Sequence, residues 1–584
     1  MEICFKKGIL ALSLSALCSI SAWAKNNVES IYINGNIYTA VENDHLQEAI
    51  AISNDGTILK VGKNSEIKKL ADADTQVFDL DQKFLMPGMI DTHLHALMAG
   101  VEMAMATMEE GEIDVAALER KIKQIKADGS GFAGDVLVLN GLSSEYWKLS
   151  DQLSATFNHN EWKNQAIVMV GSDHHTAWVN QAMLKKAKID SKFVKSLSAE
   201  DQQNITHTAK FEPTGFLVDS GWDLVSAKIP PLPHDLMYKG SRDAVKYYNS
   251  LGLTGWMDIA SNAVPLQGIF NIKNTENTVG MIPTYKELSE KGELTARVAG
   301  LQVINSKSSP DVLDIVEKIN SKYKNIKNFN LIGVKVFADG VLEFPAQSAA
   351  LMGTYSNSNK HGDLLFDPAQ FKQVVNEADK RGLLVHIHAI GDKAVHESLN
   401  AFEYARSQRN SQVPHSITHL QLVDPADYGR FQKNNVIASM QLAWAYEDSY
   451  NKELVKPYIS ETLYNGMYPA NSLYKHGAII AGASDAPVST ANPFIAMATG
   501  ITRTSPDGEY LNPKEAIDRN TAIKAYTINA AKALGLEKVV GSLEAGKKAD
   551  MVLVDRDIFT VSPSELAETK VVWTMFDGKK LDLD

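Results

Sequence analysis

Cysteine is almost missing from this chain of 584 residues: there are two, Cys4 and Cys18, both within the first 24 positions. With that stretch removed no thiol remains, which excludes a cysteine nucleophile, a thiolate metal cluster and a redox centre. A domain this large needs no disulfide, because it can bury a sufficient core of its own. Long basic runs are missing too. Lys+Arg number 58 against Asp+Glu 70, a net charge of −12, which argues against nucleic acid as the main partner. No basic amphipathic helix stands out that would lie on a membrane surface. Internal repeats and low-complexity segments are likewise absent. What is present is ordinary for a globular chain: 44% hydrophobic and 22% charged residues exclude wholesale disorder.

The first 24 residues read as an address. Lys6 and Lys7 precede an apolar run from Gly8 to Ile20, and Ala22-Trp23-Ala24 supplies a small-x-small cleavage pattern. The run is short of the roughly 20 apolar residues a membrane span needs, and no basic stop-transfer segment follows. Leu17 before Cys18 is too bulky for a lipidation site. The expectation is a cleaved secretory signal, an exported and most simply periplasmic protein, and no stable membrane anchor after cleavage. Losing Glu2, Lys6 and Lys7 leaves 56 basic and 69 acidic residues, a net of −13. A metal site in the processed chain would be built from His, Asp, Glu or a modified Lys.

Eight apolar, strand-like runs follow with βα spacing: 89–95, 251–259, 296–304, 331–338, 383–389, 415–422, 436–442 and 478–483. Helical patterns such as 368–381 and 425–433 lie between them. Eight such units are the count of a TIM (β/α)8 barrel, expected over 88–536. Segment 100–250 is too long for one connection and has runs of its own at 136–139 and 167–170, so it is read as an inserted lobe after the first barrel strand. The ends, 25–87 and 537–584, hold short β runs with turn punctuation and suggest one small β-sandwich assembled from both termini.

His93 and His95 stand two apart on an alternating strand, so both imidazoles leave the same face and can hold one divalent metal. An HxH alone is weak evidence. Its company is stronger: Lys335 on the fourth run, His388 on the fifth, His419 on the sixth and Asp485 ending the eighth. Each lies near the C-terminal end of a different strand, where barrel active sites form. The bland alternatives are satisfied core histidines, a Lys335–Asp339 ion pair, and Asp485 capping a turn.

The segments PGMIDTHLH, VKVFADG, HIHAIGD, ITHLQLV and GASDAPV resemble the amidohydrolase superfamily, and most closely its family 3 branch of exported metal-dependent hydrolases, some of which act on formamides. EPTGFLVDSG, AYTINAAKALG and GSLEAGKKADMVLVD extend the resemblance along nearly the whole processed chain. It implies His93, His95, His388, His419 and Asp485 as metal ligands, with Asp485 also as proton shuttle. Lys335 is implied as a lysine carboxylated to bridge two metals, and His175 as a substrate-side histidine. Asp392 and Gln441 are candidates for the pocket or the layer behind the ligands. The chain departs from the branch at His174, where Gly is usual, at Thr418, where Glu is usual, and at Leu442, where Pro is usual. Asn140 to Ser143 replace an RGWD-like stretch.

Imidazole and carboxylate ligands suit zinc, one or two ions per chain. The chemistry expected is hydrolysis of a carbon–nitrogen bond in a non-peptide amide, formamide or cyclic amide, by water activated at the metal. The partner is a small-molecule substrate, with a homodimer as the expected assembly. Two readings compete: a one-metal deaminase of a ring amine, and an exported binding protein on a retired hydrolase scaffold.

Overall fold

The computed structural model describes residues 28–41, 46–108, 113–505 and 508–583. The expected leader, 1–24, with both cysteines, lies outside the described residues. Among the described residues no helix is long and apolar enough to cross a membrane.

Eight strands form one all-parallel sheet in sequential order: β1 (Met89–Leu94), β2 (Leu253–Asp258), β3 (Arg297–Val303), β4 (Phe329–Phe337), β5 (Leu384–Ala389), β6 (Ser416–His419), β7 (Ile437–Met440) and β8 (Ile479–Gly482). The ring closes between its first and last members. Thr92 Oγ1 donates to Gly482 O at 3.0 Å, Asp485 N donates to His93 O at 2.8 Å, and His95 N donates to Ala486 O at 3.2 Å. This is the (β/α)8 barrel. The strands are covered on both faces, which is why they read as nearly continuous apolar runs. The strand ends differ from the sequence reading by up to three residues, and one difference falls at the site: β1 stops at Leu94, and His95 instead caps helix α1 (Ala96–Met103).

The lobe inserted after β1 is shorter than the stretch 100–250. The two ends of that stretch belong to the barrel's helical layer, where α1 crosses α3 (His234–Ser250) at two glycines. A Cβ on Gly100 would stand 2.5 Å from Gly240 O, and one on Gly240 would stand 2.7 Å from Gly100 O, so only glycine allows this approach. Between them a lobe carries a six-stranded sheet, Phe132–Ala133 through Pro213–Val218, over a core of Leu118, Leu139, Phe157, Trp162, Trp178 and Phe216. It ends in α2 (Ser220–Ser226), which returns to the barrel rim.

The two chain ends meet as sheets. Strand Phe84–Pro87 pairs antiparallel with Met551–Val554, and Ile50, Ile52, Leu85, Met551, Leu553 and Met575 share one core. Arg297, at the start of β3, grips Asp550 through Nε at 2.7 Å and an Nη at 3.0 Å. That fork ties the terminal sheets to the barrel end opposite the candidate site.

Candidate active site

The C-terminal ends of the strands bring four of the expected residues to one point. His93 Nε2 lies 3.1 Å, and His95 Nε2 3.3 Å, from Asp485 Oδ1; His419 Nδ1 is 3.9 Å from Asp485 Oδ2. One donor atom each from His93, His95 and Asp485 fits within 4.8 Å. His388 stands beside them, its ring centre 4.5 Å from that of His419. Two of these residues hold a left-handed backbone: His419 at φ 74° and Asp485 at φ 59°. Neither is glycine, so the neighbouring structure sustains that strain in order to aim the side chains.

Residues and a cation fit each other here. Asp485 Oδ1 and His419 Nδ1 are buried with no hydrogen-bonding partner among the described residues. Asp485 Oδ1 is near both imidazoles yet out of line for a hydrogen bond to either. Orphaned buried atoms cost about 1–3 kcal/mol each, which a shared cation would offset. Protonation states agree with that. Burial pushes the His93 imidazole down to about 3 and those of His388 and His419 well below their ordinary value, leaving neutral nitrogen donors. Burial alone would raise Asp485, but the imidazoles of His93, His95 and His419 outweigh it and hold the carboxyl well below the usual range.

A profile of the amidohydrolase family matches residues 76–581. The chain belongs to the amidohydrolase family. It is accordingly a metal-dependent hydrolase of carbon–nitrogen bonds. It is 28% identical to the protein LONG AFTER FAR-RED 3 of Arabidopsis thaliana over 97% of this chain and 94% of that one. It is 24% identical to the N-substituted formamide deformylase of Arthrobacter pascens over 94% of this chain and 97% of that one. In fold it resembles an uncharacterized metal-dependent hydrolase of Pyrococcus horikoshii, with a TM-score of 0.69 at 22% identity over 92% of this chain and 99% of that one.

Each remaining site residue of this amidohydrolase has a definite setting. Lys335, on β4, is buried with its Nζ 5.0 Å from the Phe337 ring centre, and no carboxylate pairs with it among the described residues. Burial pushes its amine down to about 7. The alternative partner, Asp339, is taken up by the backbone N–H groups of Ile390, Gly391 and Ala350 at 2.8 to 3.0 Å. His388 Nε2 donates to Gly340 O at 3.0 Å, which leaves Nδ1 as the ring's acceptor. His175 comes from the lobe, its Nδ1 2.6 Å from Asp219 Oδ1 and its ring centre 5.2 Å from that of His388. Burial disfavours its cation, but Asp219 outweighs burial and draws the imidazole upward.

Asp392 and Gln441 are both held by neighbouring groups. Asp392 Oδ1 accepts from Met352 N at 2.9 Å and Lys393 N at 3.0 Å. It fastens the loop after β4 to the helix Asp392–Gln408. Gln441 Nε2 donates to Thr418 Oγ1 at 3.3 Å, with Oε1 buried and unpartnered.

The sequence reading passed over His386, Asp219 and Trp444. His386 Nε2 lies 2.7 Å from His93 Nδ1, and His386 Nδ1 lies 2.6 Å from Ser416 Oγ. If His93 Nε2 is to bind a metal, its proton sits on Nδ1 and is donated to His386, which in turn donates to Ser416. The signal was available: HIH on β5 repeats the HxH of β1. Trp444 stacks on His419 at 5.4 Å between ring centres, with planes 5° apart. Asp219 gave no signal, because its partner is 44 positions away.

Proposed function

We propose that this amidohydrolase cleaves the carbon–nitrogen bond of a small non-peptide amide, formamide or cyclic amide. The convergence of His93 Nε2, His95 Nε2 and Asp485 Oδ1 carries the reading. These three would hold one divalent ion, zinc by ligand type, with His388, His419 and a carboxylated Lys335 supplying a second position. When bound, such ions polarise a carbonyl and lower the pKa of a water towards 7. Carboxylation of Lys335 needs a neutral amine, and burial already brings its pKa to about 7.

The chain's own groups divide the remaining work. Asp485, ionised and buried, takes the proton from the attacking water and hands it to the departing nitrogen. His175, its Nδ1–H held by Asp219, donates from Nε2 to the oxygen that gains charge in the transition state when the ring is the imidazolium, the form that Asp219 favours. The neutral chain His93–His386–Ser416 holds the first imidazole in one tautomer. The leader read over 1–24 would place the reaction outside the cytoplasm.

The relative in Arthrobacter pascens is named for formamide deformylation, which supports the substrate class without naming this chain's substrate. One observation favours a second reading, a one-metal deaminase: of the five expected His and Asp ligands, three bring donor atoms within 4.8 Å of one another. A panel of N-substituted formamides, acetamides, lactams and aminated ring compounds separates the two. Amine or acid release from the amides, falling about 10²- to 10⁴-fold in Asp485→Asn, is the expected result. Ammonia release from the ring amines alone would establish the deaminase and overturn the amide reading.

A further inference from the structure

Beside the metal ligands lies a small pocket whose wall is largely apolar, with Met98, Trp222 and Phe270 among its lining. One wall is a stripe of α1. His95, Met98 and Glu102 stand at i, i+3 and i+7, one above the other on the same helical face, so Glu102 lies about 10 Å along the helix from the ligand His95. Trp222 comes from α2 of the lobe, and Phe270 from the loop after β2.

Glu102 is out of place for a structural acid. Its side chain is 8% exposed, and it sits in the last turn of α1, where the negative end of the helix dipole disfavours a carboxylate. Its ion-pair neighbour among the described residues is His174 Nε2 at 3.5 Å, at the limit of a useful contact, and that imidazole is itself 30% exposed. His174 reaches this position from a left-handed backbone, φ 55°, that glycine would adopt without strain. A buried carboxylate set in an apolar pocket beside two aromatic residues is the chemistry that recognises an organic ammonium group.

We propose that this pocket is a subsite for a positively charged substituent of the substrate, held by Glu102 and the faces of Trp222 and Phe270. The inference deepens the hydrolytic reading and rests on it: the substrate is an amide with a protonated amine or similar cation, placed up to about 10 Å from the scissile bond. His174 is the neighbour the cation displaces.

Calorimetric titration of the metal-loaded protein at pH 7 tests this, with benzylammonium as the probe and benzyl alcohol as its neutral counterpart. Protonated at that pH, benzylammonium offers no lone pair to a metal. The cation is expected to bind at least about tenfold more tightly to the unaltered protein than to Glu102→Gln, with the alcohol unchanged. His174→Gly, which relieves the backbone and removes the competing partner, is expected to keep or strengthen cation binding. Equal binding of the cation to the unaltered protein and Glu102→Gln, or its loss in His174→Gly, would overturn the subsite. Binding is read apart from turnover, so the two readings fail separately. A protein that hydrolyses amides but ignores the cation loses the subsite alone; one that binds the cation but hydrolyses none loses the hydrolytic reading.

Discussion

Two strands of the barrel carry the same three-residue pattern and use it differently. On β1, His93 and His95 both present Nε2 to Asp485, at 3.1 and 3.3 Å. On β5, His388 stands at the site, while His386 lies one layer deeper, 2.7 Å behind His93, with its other nitrogen on Ser416. Alternation puts both members of each pair on the inner face. Depth decides the rest. β1 ends at Leu94, so its pair straddles the rim, whereas β5 runs on to Ala389 and keeps His386 inside the ring. The register records the same step, with His386 beside Lys335 and His388 beside Phe337. An HxH therefore marks an inward face, and the distance from the strand's end tells ligand from support.

That contrast is open to breakage. The largest effect is expected from His93→Ala and His95→Ala, each losing bound metal and about a thousandfold or more in kcat, measured by elemental analysis beside amide turnover. Lys335→Ala comes next: one of two ions is lost, and kcat falls sharply while the first ion stays. His386→Gln should act as a support does, weakening metal affinity about 10- to 100-fold by competition with a chelator, without removing a ligand. A His386 variant as damaged as His95→Ala would erase the distinction between the two pairs.

The smallest effect serves as an outside reference. Asp223, on α2, accepts from Asn271 N and fastens the loop after β2, and burial raises its carboxyl to about 7. Between about pH 4 and 7 the native chain holds a proton that the unfolded chain has released, so stability falls as pH rises through that window and is level above it. Asp223→Asn should therefore gain about 1–3 °C more in thermal midpoint at pH 8 than at pH 5. Metal affinity at the candidate site should not change.

All eight barrel strands were legible, because a strand covered on both faces is written as a nearly continuous apolar run, and many of the runs end in a polar or chemistry-bearing residue. His93, His95, His388, His419 and Asp485 were legible as polar residues in or just after apolar runs, near their C-terminal ends. What stayed hidden depends on distant pairing. Asp219 has meaning only through His175, His386 only through His93 across 293 positions, and Glu102 only through the lobe residues His174 and Trp222. Asp392 pairs with the backbone at Met352, 40 positions away. The lobe's six-stranded sheet showed two of its members because the others are short or lack a distinct apolar run.

Metal content of the purified, processed chain is the decisive quantity, taken by elemental analysis on the unaltered protein, Lys335→Ala and the double variant His93→Ala/His95→Ala. Two divalent ions per chain are expected, falling to one without Lys335 and to none without the β1 pair. Undiminished metal in the double variant, or none in the unaltered chain, would contradict a hydrolytic centre built on His93, His95 and Asp485.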